Sequence, residues 1–186
     1  MPKCYAEEDW LGVKLPEFMK CDSNLAANRQ TRMLADLRLV NCYNTTGMSP
    51  EQRESIMLQS AKDNLVKLAF YGLTEFQEES QYIFQDTFNL NFNVRFMQFD
   101  HNHADNAHDR IDDATVEEIK RINHLDVKLY TFARELMLKR FEELKANDPN
   151  FEEHYETMGD TRHNKKSLQT LDIEEQVDDE ENDEEY

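Results

Sequence analysis

Ser49, Pro50 and Gln52 open a helix in a pattern that leaves the segment little freedom to be anything else. Ser49 can cap the first turn, Pro50 suits the first helical position, and Gln52 can reach back to the amide of the cap. Ile56, Ala61, Leu65 and Leu68 then supply an apolar stripe, and Gly72 stands where a left-handed residue would end the helix. Thr74 and Gln77 repeat the capping pattern at once, opening a second helix with Phe76, Ile83, Phe84 and Phe88. Two capped amphipathic helices in succession need an apolar partner to cover them, so the chain is expected to be built around helix packing.

The flanking segments extend that reading. Leu25, Arg29, Met33 and Leu37 fall four apart, which predicts a helix from Asn24 to about Val40. Thr115 with Glu118, then Asn123 with Asp126, predict a further helical stretch with Leu125, Leu129, Phe132, Leu136, Arg140 and Leu144 on one face, ending near residue 146. Between the two blocks, Leu90, Phe92, Val94 and Phe96 alternate with polar residues at the period of a half-buried strand, which Met97-Gln98-Phe99 can extend. Residues 1–23 read as irregular, anchored by Trp10, Leu15 and Phe18.

Composition agrees. Four glycines and four prolines in 186 residues are too few for the many turns of an all-β protein, and the length suits one domain with a real core. The net charge of −18 is unevenly placed: residues 147–186 carry 15 acidic and 3 basic side chains, the rest 24 and 18. The expected organisation is therefore a folded part over 1–146 and an acidic, largely disordered tail over 147–186. Such a tail would repel a polyanion, and nothing in the chain reads as a nucleic-acid surface. No segment reads as a signal peptide or a membrane span. Cys4, Cys21 and Cys42 are odd in number and show no metal-type spacing, so at most one internal disulfide forms and one thiol is left over.

Long ordered blocks carry a family resemblance. Asn24 to Leu37 (NLAANRQTRMLADL), followed by Asn41-Cys42-Tyr43-Asn44, resembles the heparan-sulfate 6-O-sulfotransferases. So do Phe70-Tyr71-Gly72-Leu73-Thr74-Glu75-Phe76-Gln77 leading to Asp86-Thr87-Phe88-Asn89-Leu90, and Leu125-Asp126-Val127-Lys128-Leu129-Tyr130. The resemblance covers roughly residues 4 to 145 in the order of the family.

It implies an α/β, P-loop-type sulfotransferase fold, of which this chain supplies the mainly helical C-terminal part with one or two short strands. It also implies a Golgi membrane glycoprotein acting on the lumenal side. Such enzymes transfer a sulfuryl group from 3′-phosphoadenylyl sulfate (PAPS) to the 6-hydroxyl of glucosamine in heparan sulfate. The family's phosphosulfate loop, catalytic histidine and membrane anchor lie N-terminal to the matched region. The chain is therefore expected to be a fragment, inactive alone and without a catalytic residue of its own.

The glycines agree independently. A phosphosulfate needs several backbone N–H groups converging on one anion, yet Gly12, Gly47, Gly72 and Gly159 stand singly and none precedes a Lys-Ser or Lys-Thr pair.

By resemblance, Met97, Gln98, Phe99, His103 and Ala104 contact the donor nucleotide. The family carries arginine where His103 stands, and a histidine is only partly cationic near neutral pH. The alternative is that Met97 and Phe99 simply finish a core strand. Arg29, Gln30 and Arg32 either line a glycan or donor groove, which guanidinium forks suit, or present ordinary charges on a helix surface. Asn44, in Asn44-Thr45-Thr46, is an N-glycosylation sequon where the family has one. The family also has a cysteine where Val13 stands.

The His- and Asp-rich stretch 100–113 offers metal-type ligands in no closed-site spacing. It reads as a solvated loop, and sulfuryl transfer of this kind requires no metal. His124 and His154 read as surface residues on helices. A different class also accounts for the chain: a non-enzymatic helical interaction protein that uses its acidic tail for contacts. Either way, apolar surface is expected where a missing sheet would dock.

Overall fold

A computed structural model of the chain describes residues 12–21, 25–97 and 111–159. Seven α-helices and one 3-10 turn occur among them: α1 (Leu15–Met19), α2 (Arg29–Leu34), the 3-10 turn (Leu37–Val40), α3 (Pro50–Lys67), α4 (Gln77–Phe88), α5 (Asp113–Ile122), α6 (His124–Asn147) and α7 (Phe151–Glu156). Packing divides the chain into two compact units. One takes the described part of Met1–Leu68 and Asp100–Leu136; the other takes that of Ala69–Phe99 and Met137–Tyr186.

In the first unit α3 forms as its sequence dictates. Gln52 N donates to Ser49 Oγ at 3.2 Å and Ser49 N to Gln52 Oε1 at 3.3 Å, closing the capping box. Met57, Ala61 and Leu65, four apart, are buried along one face. The helix ends at Lys67 with Leu68 extended beyond it, so Gly72 does not terminate it. Gly72 allows a close approach instead: a Cβ there would lie 2.9 Å from Ser80 Oγ, the hydroxyl that accepts from Leu73 N at 3.1 Å.

The continuous helix expected from Asn24 to Val40 does not form. Asn28 adopts a left-handed conformation (φ 50°), and Ala35 and Asp36 are extended between α2 and the 3-10 turn. Two side chains of α3 hold that break open. Asn64 Nδ2 donates to Leu34 O at 2.8 Å, and Asp36 N donates to Ser60 Oγ at 2.9 Å. Asp36 then caps the 3-10 turn by accepting from Arg38 N at 3.1 Å. Thr31 and Val40 become the buried positions, while Met33 is 68% exposed. Val40, Met57 and Leu125 form the apolar centre of this unit.

The second unit is built on aromatic packing. Tyr82, Ile83, Met137, Phe141, Phe151 and Met158 are buried together. Tyr82 meets Phe141 at 5.9 Å and Phe151 at 5.2 Å between centroids, both edge-to-face, the geometry that ring quadrupoles favour. Folded chain thus extends beyond residue 146: Phe151 opens α7, and Phe151 and Met158 complete this core. α6 contributes to both units, burying Leu125, Leu129 and Ala133 in the first and Met137 and Phe141 in the second.

No strand occurs among the described residues, so the strand expected over Leu90 to Phe96 is corrected. A strand needs a neighbouring backbone for its ladder, and here a side chain takes that place. Gln81, fully buried on α4, accepts from Phe96 N at 2.6 Å and donates to Val94 O at 3.2 Å. The alternating phenylalanines pack on α4, with Phe92 5.4 Å from Phe84 and Phe96 4.9 Å from Phe92.

Candidate functional site

The segment leading to Met97 is held from three directions. Gln81 supplies one rung, pairing with the groups on either side of Arg95. The Arg95 guanidinium supplies the second: Nη1 donates to Glu78 Oε1 at 2.9 Å, and Nη2 donates to Tyr155 O at 2.6 Å and to Glu156 O at 3.2 Å. It therefore caps the last carbonyls of α7 while paired to the first turn of α4. Gly159 supplies the third. It sits at φ +76° against the Val94–Arg95 peptide, and a Cβ there would come within 2.3 Å of Arg95 N.

Met97 emerges from this clamp 67% exposed. Of the five expected donor contacts it alone can be placed, since Gln98, Phe99, His103 and Ala104 lie outside the described residues.

Arg29, Gln30 and Arg32 belong to the first unit, around a cross-capping cluster that sequence reasoning missed. Asp126 of α6 accepts from Gln30 N at 3.0 Å, Thr31 N at 2.7 Å and Thr31 Oγ1 at 2.6 Å, capping α2 from outside. Asn28 returns the service. Its Oδ1 accepts from Leu125 N at 2.9 Å and Asp126 N at 3.3 Å, and its Nδ2 donates to Ile122 O at 3.1 Å. Asn28 N in turn donates to Asn123 Oδ1 at 3.0 Å. The signal was Asn28 at a helix start and Asp126 in a first turn, but nothing in the sequence pairs residues so far apart.

The Arg32 guanidinium donates to Leu25 O. Burial lowers its pKa, an effect that Tyr43 and Asp126 oppose and Arg29 reinforces. The Arg29 and Gln30 side chains are exposed beside it.

Asn44 is exposed in a loop gathered by Arg53, whose guanidinium donates to Val40 O, Cys42 O and Asn44 O. Asn44 Oδ1 accepts from Thr46 N at 3.0 Å and Thr46 Oγ1 at 2.8 Å, folding the sequon into an Asx turn. Cys21 is disulfide-bonded and Cys42 is a free, exposed thiol.

A second cluster missed in the sequence lies in the other unit. Tyr82 Oη donates to Asp148 Oδ2 at 2.6 Å, and His154 Nδ1 lies 2.7 Å from the same oxygen. Asn150 N donates to Asp148 Oδ1 at 3.0 Å. These donors, Tyr82 first, hold the Asp148 carboxyl below its usual range, while burial followed by the Asp148 bond pushes the Tyr82 phenol well up. A cleft of about 610 Å³ opens beside the cluster, lined partly by Asp86, Asn89, Glu153 and Thr157. In the first unit a groove of about 860 Å³ runs between α1 and α5, lined mainly by apolar residues including Phe18, Met19, Ile119 and Ile122.

No described helix start is left for a phosphosulfate. Ser49, Asp112 and Asp126 side chains already cap α3, α5 and α2, and Asn28 caps α6. α1, α4 and α7 have no side-chain cap, but they carry Glu17, Glu78 and Glu79, and Glu152 and Glu153 respectively in their first turns, charges that would repel an anion. No His, Cys, Asp and Glu group suited to a metal occurs among the described residues. Of the 100–113 stretch, Asp112 is engaged in capping, accepting from Thr115 N at 2.9 Å.

Comparison with known proteins identifies the family. The model of the sulfotransferase family matches residues 1–133. Heparan-sulfate 6-O-sulfotransferase 2 of Gallus gallus is 47% identical over 148 residues, which cover 80% of this chain and 36% of that protein. Heparan-sulfate 6-O-sulfotransferase 3 of Mus musculus is 50% identical over 145 residues, covering 78% and 30%. Heparan-sulfate 6-O-sulfotransferase 2 of Homo sapiens is 45% identical over 148 residues, covering 80% and 24%. The chain thus spans about a third or less of the length of these curated relatives.

Proposed function

The chain belongs to the sulfotransferase family, and on that premise we propose that it is the C-terminal part of a heparan-sulfate 6-O-sulfotransferase. The whole enzyme would transfer a sulfuryl group from PAPS to the 6-hydroxyl of glucosamine. The observation that carries this reading is the 45–50% identity to proteins of that name over four fifths of the chain.

Within that reaction the chain holds the far side of the donor nucleotide. Met97 is presented at the mouth of a rigid clamp, and Gln98, Phe99, His103 and Ala104 follow it in sequence. An adenine edge can be met by backbone groups and an aromatic face, and the 3′-phosphate by a cationic side chain. The residues present do not fit the phosphosulfate end, because the described helix starts are capped or acidic and the glycines stand singly. Arg29 offers an exposed positive charge that a sulfated glycan can meet, with the Gln30 amide and the half-buried Arg32 guanidinium beside it. Asn44 carries a glycan in a lumenal, Golgi setting. No described helix is long and apolar enough to cross a membrane.

A chimera tests the assignment. The whole of this chain would replace the stretch of the Gallus gallus enzyme that it matches, and products would be read by disaccharide analysis after incubation with PAPS and 6-O-desulfated heparan. New 6-O-sulfate is expected. A chimera that folds and binds heparan but transfers nothing would instead favour the interaction-protein reading. The isolated chain is expected to transfer no sulfate, and transfer by it would overturn the division of labour proposed here.

A further inference from the structure

We infer that a row of five phenylalanines on the second unit is the docking face for the part of the enzyme that this chain does not match. The inference rests on the reading of the chain as part of a longer sulfotransferase, and it names the surface through which the two parts would meet.

The row follows from spacing. Phe84, Phe88, Phe92 and Phe96 stand four apart, across the end of α4 and into the segment after it. Phe84 meets Phe88 at 4.7 Å between centroids and Phe92 at 5.4 Å, and Phe92 meets Phe96 at 4.9 Å. Phe70 joins from before α4, 4.8 Å from Phe84 and 6.3 Å from Phe88, both edge-to-face. The five rings therefore form one continuous surface. None of them is buried: Phe88 is 45% exposed, and Leu90, two residues on, is 48% exposed.

A helix that covers a single core needs one apolar face. α4 has two. Tyr82 and Ile83 enter the aromatic core, whereas Phe84 and Phe88 lie roughly 200° and 240° round the helix from Tyr82. Scattered exposed apolar side chains are ordinary, but a contiguous aromatic row marks a surface that another element covers.

Charge and connectivity select the occupant. From Gln77 to Phe96 the sole basic side chain is Arg95, which is paired with Glu78 at 2.9 Å. The segment thus offers anionic lipid headgroups no unpaired counter-charge. A second copy would bring a net charge of −18 against the same charge on the first. The rest of the enzyme, by contrast, would be held in the same polypeptide at high effective concentration. This chain matches only 36%, 30% and 24% of the three relatives above, and the row lies inside the stretch 1–133 that the family model matches. An apolar element of the unmatched part is the occupant.

The chimera described above tests this, built with p-benzoylphenylalanine in place of Phe88, irradiated, and mapped by mass spectrometry. Links from position 88 to the Gallus gallus part of the same molecule are expected. Sulfate transfer without such links overturns the inference and leaves the family reading standing. A chimera that folds but neither transfers sulfate nor forms the links overturns both. The isolated 186-residue chain supplies a second measurement that does not depend on the chimera. It is expected to sediment as a monomer and to brighten Nile red, with Phe88→Ser losing more than half of that signal. A dimer that Phe88→Ser dissolves would assign the row to a second copy and overturn the inference, as would a chain that leaves Nile red dark.

Discussion

Asn28 makes four hydrogen bonds across nearly a hundred residues of sequence from a backbone conformation that alanine seldom adopts. Replacing it removes the cap of α6, a bond to the end of α5, and a tolerated left-handed residue together. Asn28→Ala is expected to destabilise the chain by ~2–3 kcal/mol in urea titration, the sum of a lost cap and left-handed strain. Arg29→Ala, one residue on but exposed, is expected to stay within about 0.5 kcal/mol. If Arg29 meets the glycan, the same substitution weakens heparin retention at low salt, where an exposed charge counts most.

Asp148 carries a pH signature. Its folded pKa is depressed, so its contribution is present above the unfolded carboxylate pKa of about 4 and is lost as pH falls through the folded value. Melting temperature is expected to drop on acidification below about pH 4, and Asp148→Asn should flatten that limb. Tyr82→Phe, which deletes the hydroxyl that donates to this carboxylate, should cost ~1.5–3 kcal/mol at neutral pH, where a charged acceptor loses its partner.

Among the elements, α3 shows what a sequence makes plain. Its cap, its first-turn proline and its buried face are all local, and Ser49→Ala is expected to cost ~1 kcal/mol by circular-dichroism melting. α4 and α5 were legible in kind but shifted. Thr74 and Thr115 read as caps, whereas α4 starts only at Gln77, and Asp112 caps α5 by accepting from Thr115 N. The break in α2 was not legible because its cause lies in Ser60 and Asn64, side chains that read as the polar face of another helix. The missing strand has the same origin: period-two alternation reports which side chains face inward, not what pairs with the backbone, and Gln81 took the ladder's place. The donor segment was found through resemblance, but its clamp was not, since Arg95 and Gly159 gain meaning only once α7 has folded against them.

At the scale of the whole molecule, the last forty residues combine an acidic stretch with residues that belong to a core. Residues 172–186 hold ten acidic and no basic side chains, a composition that favours hydration over any apolar core. Residues 148–159, by contrast, put Phe151 and Met158 among Tyr82, Met137 and Phe141. Two truncations separate these roles. A chain ending at residue 171 should melt with the parent, and in a chimeric enzyme it should keep the parent's affinity for heparan, because a solvating tail occupies no groove. If that deletion instead raises heparan affinity, the tail competes with the polyanionic substrate. A chain ending at residue 147 loses Phe151, Met158 and the acceptor of Tyr82, and exposes the aromatic faces of Tyr82 and Phe141. Loss of one large core aromatic alone costs ~3–5 kcal/mol, which is most of the stability of an ordinary domain. The second unit is therefore expected to lose its cooperative transition in calorimetry, while α3, packed in the first unit, keeps its protection from hydrogen exchange.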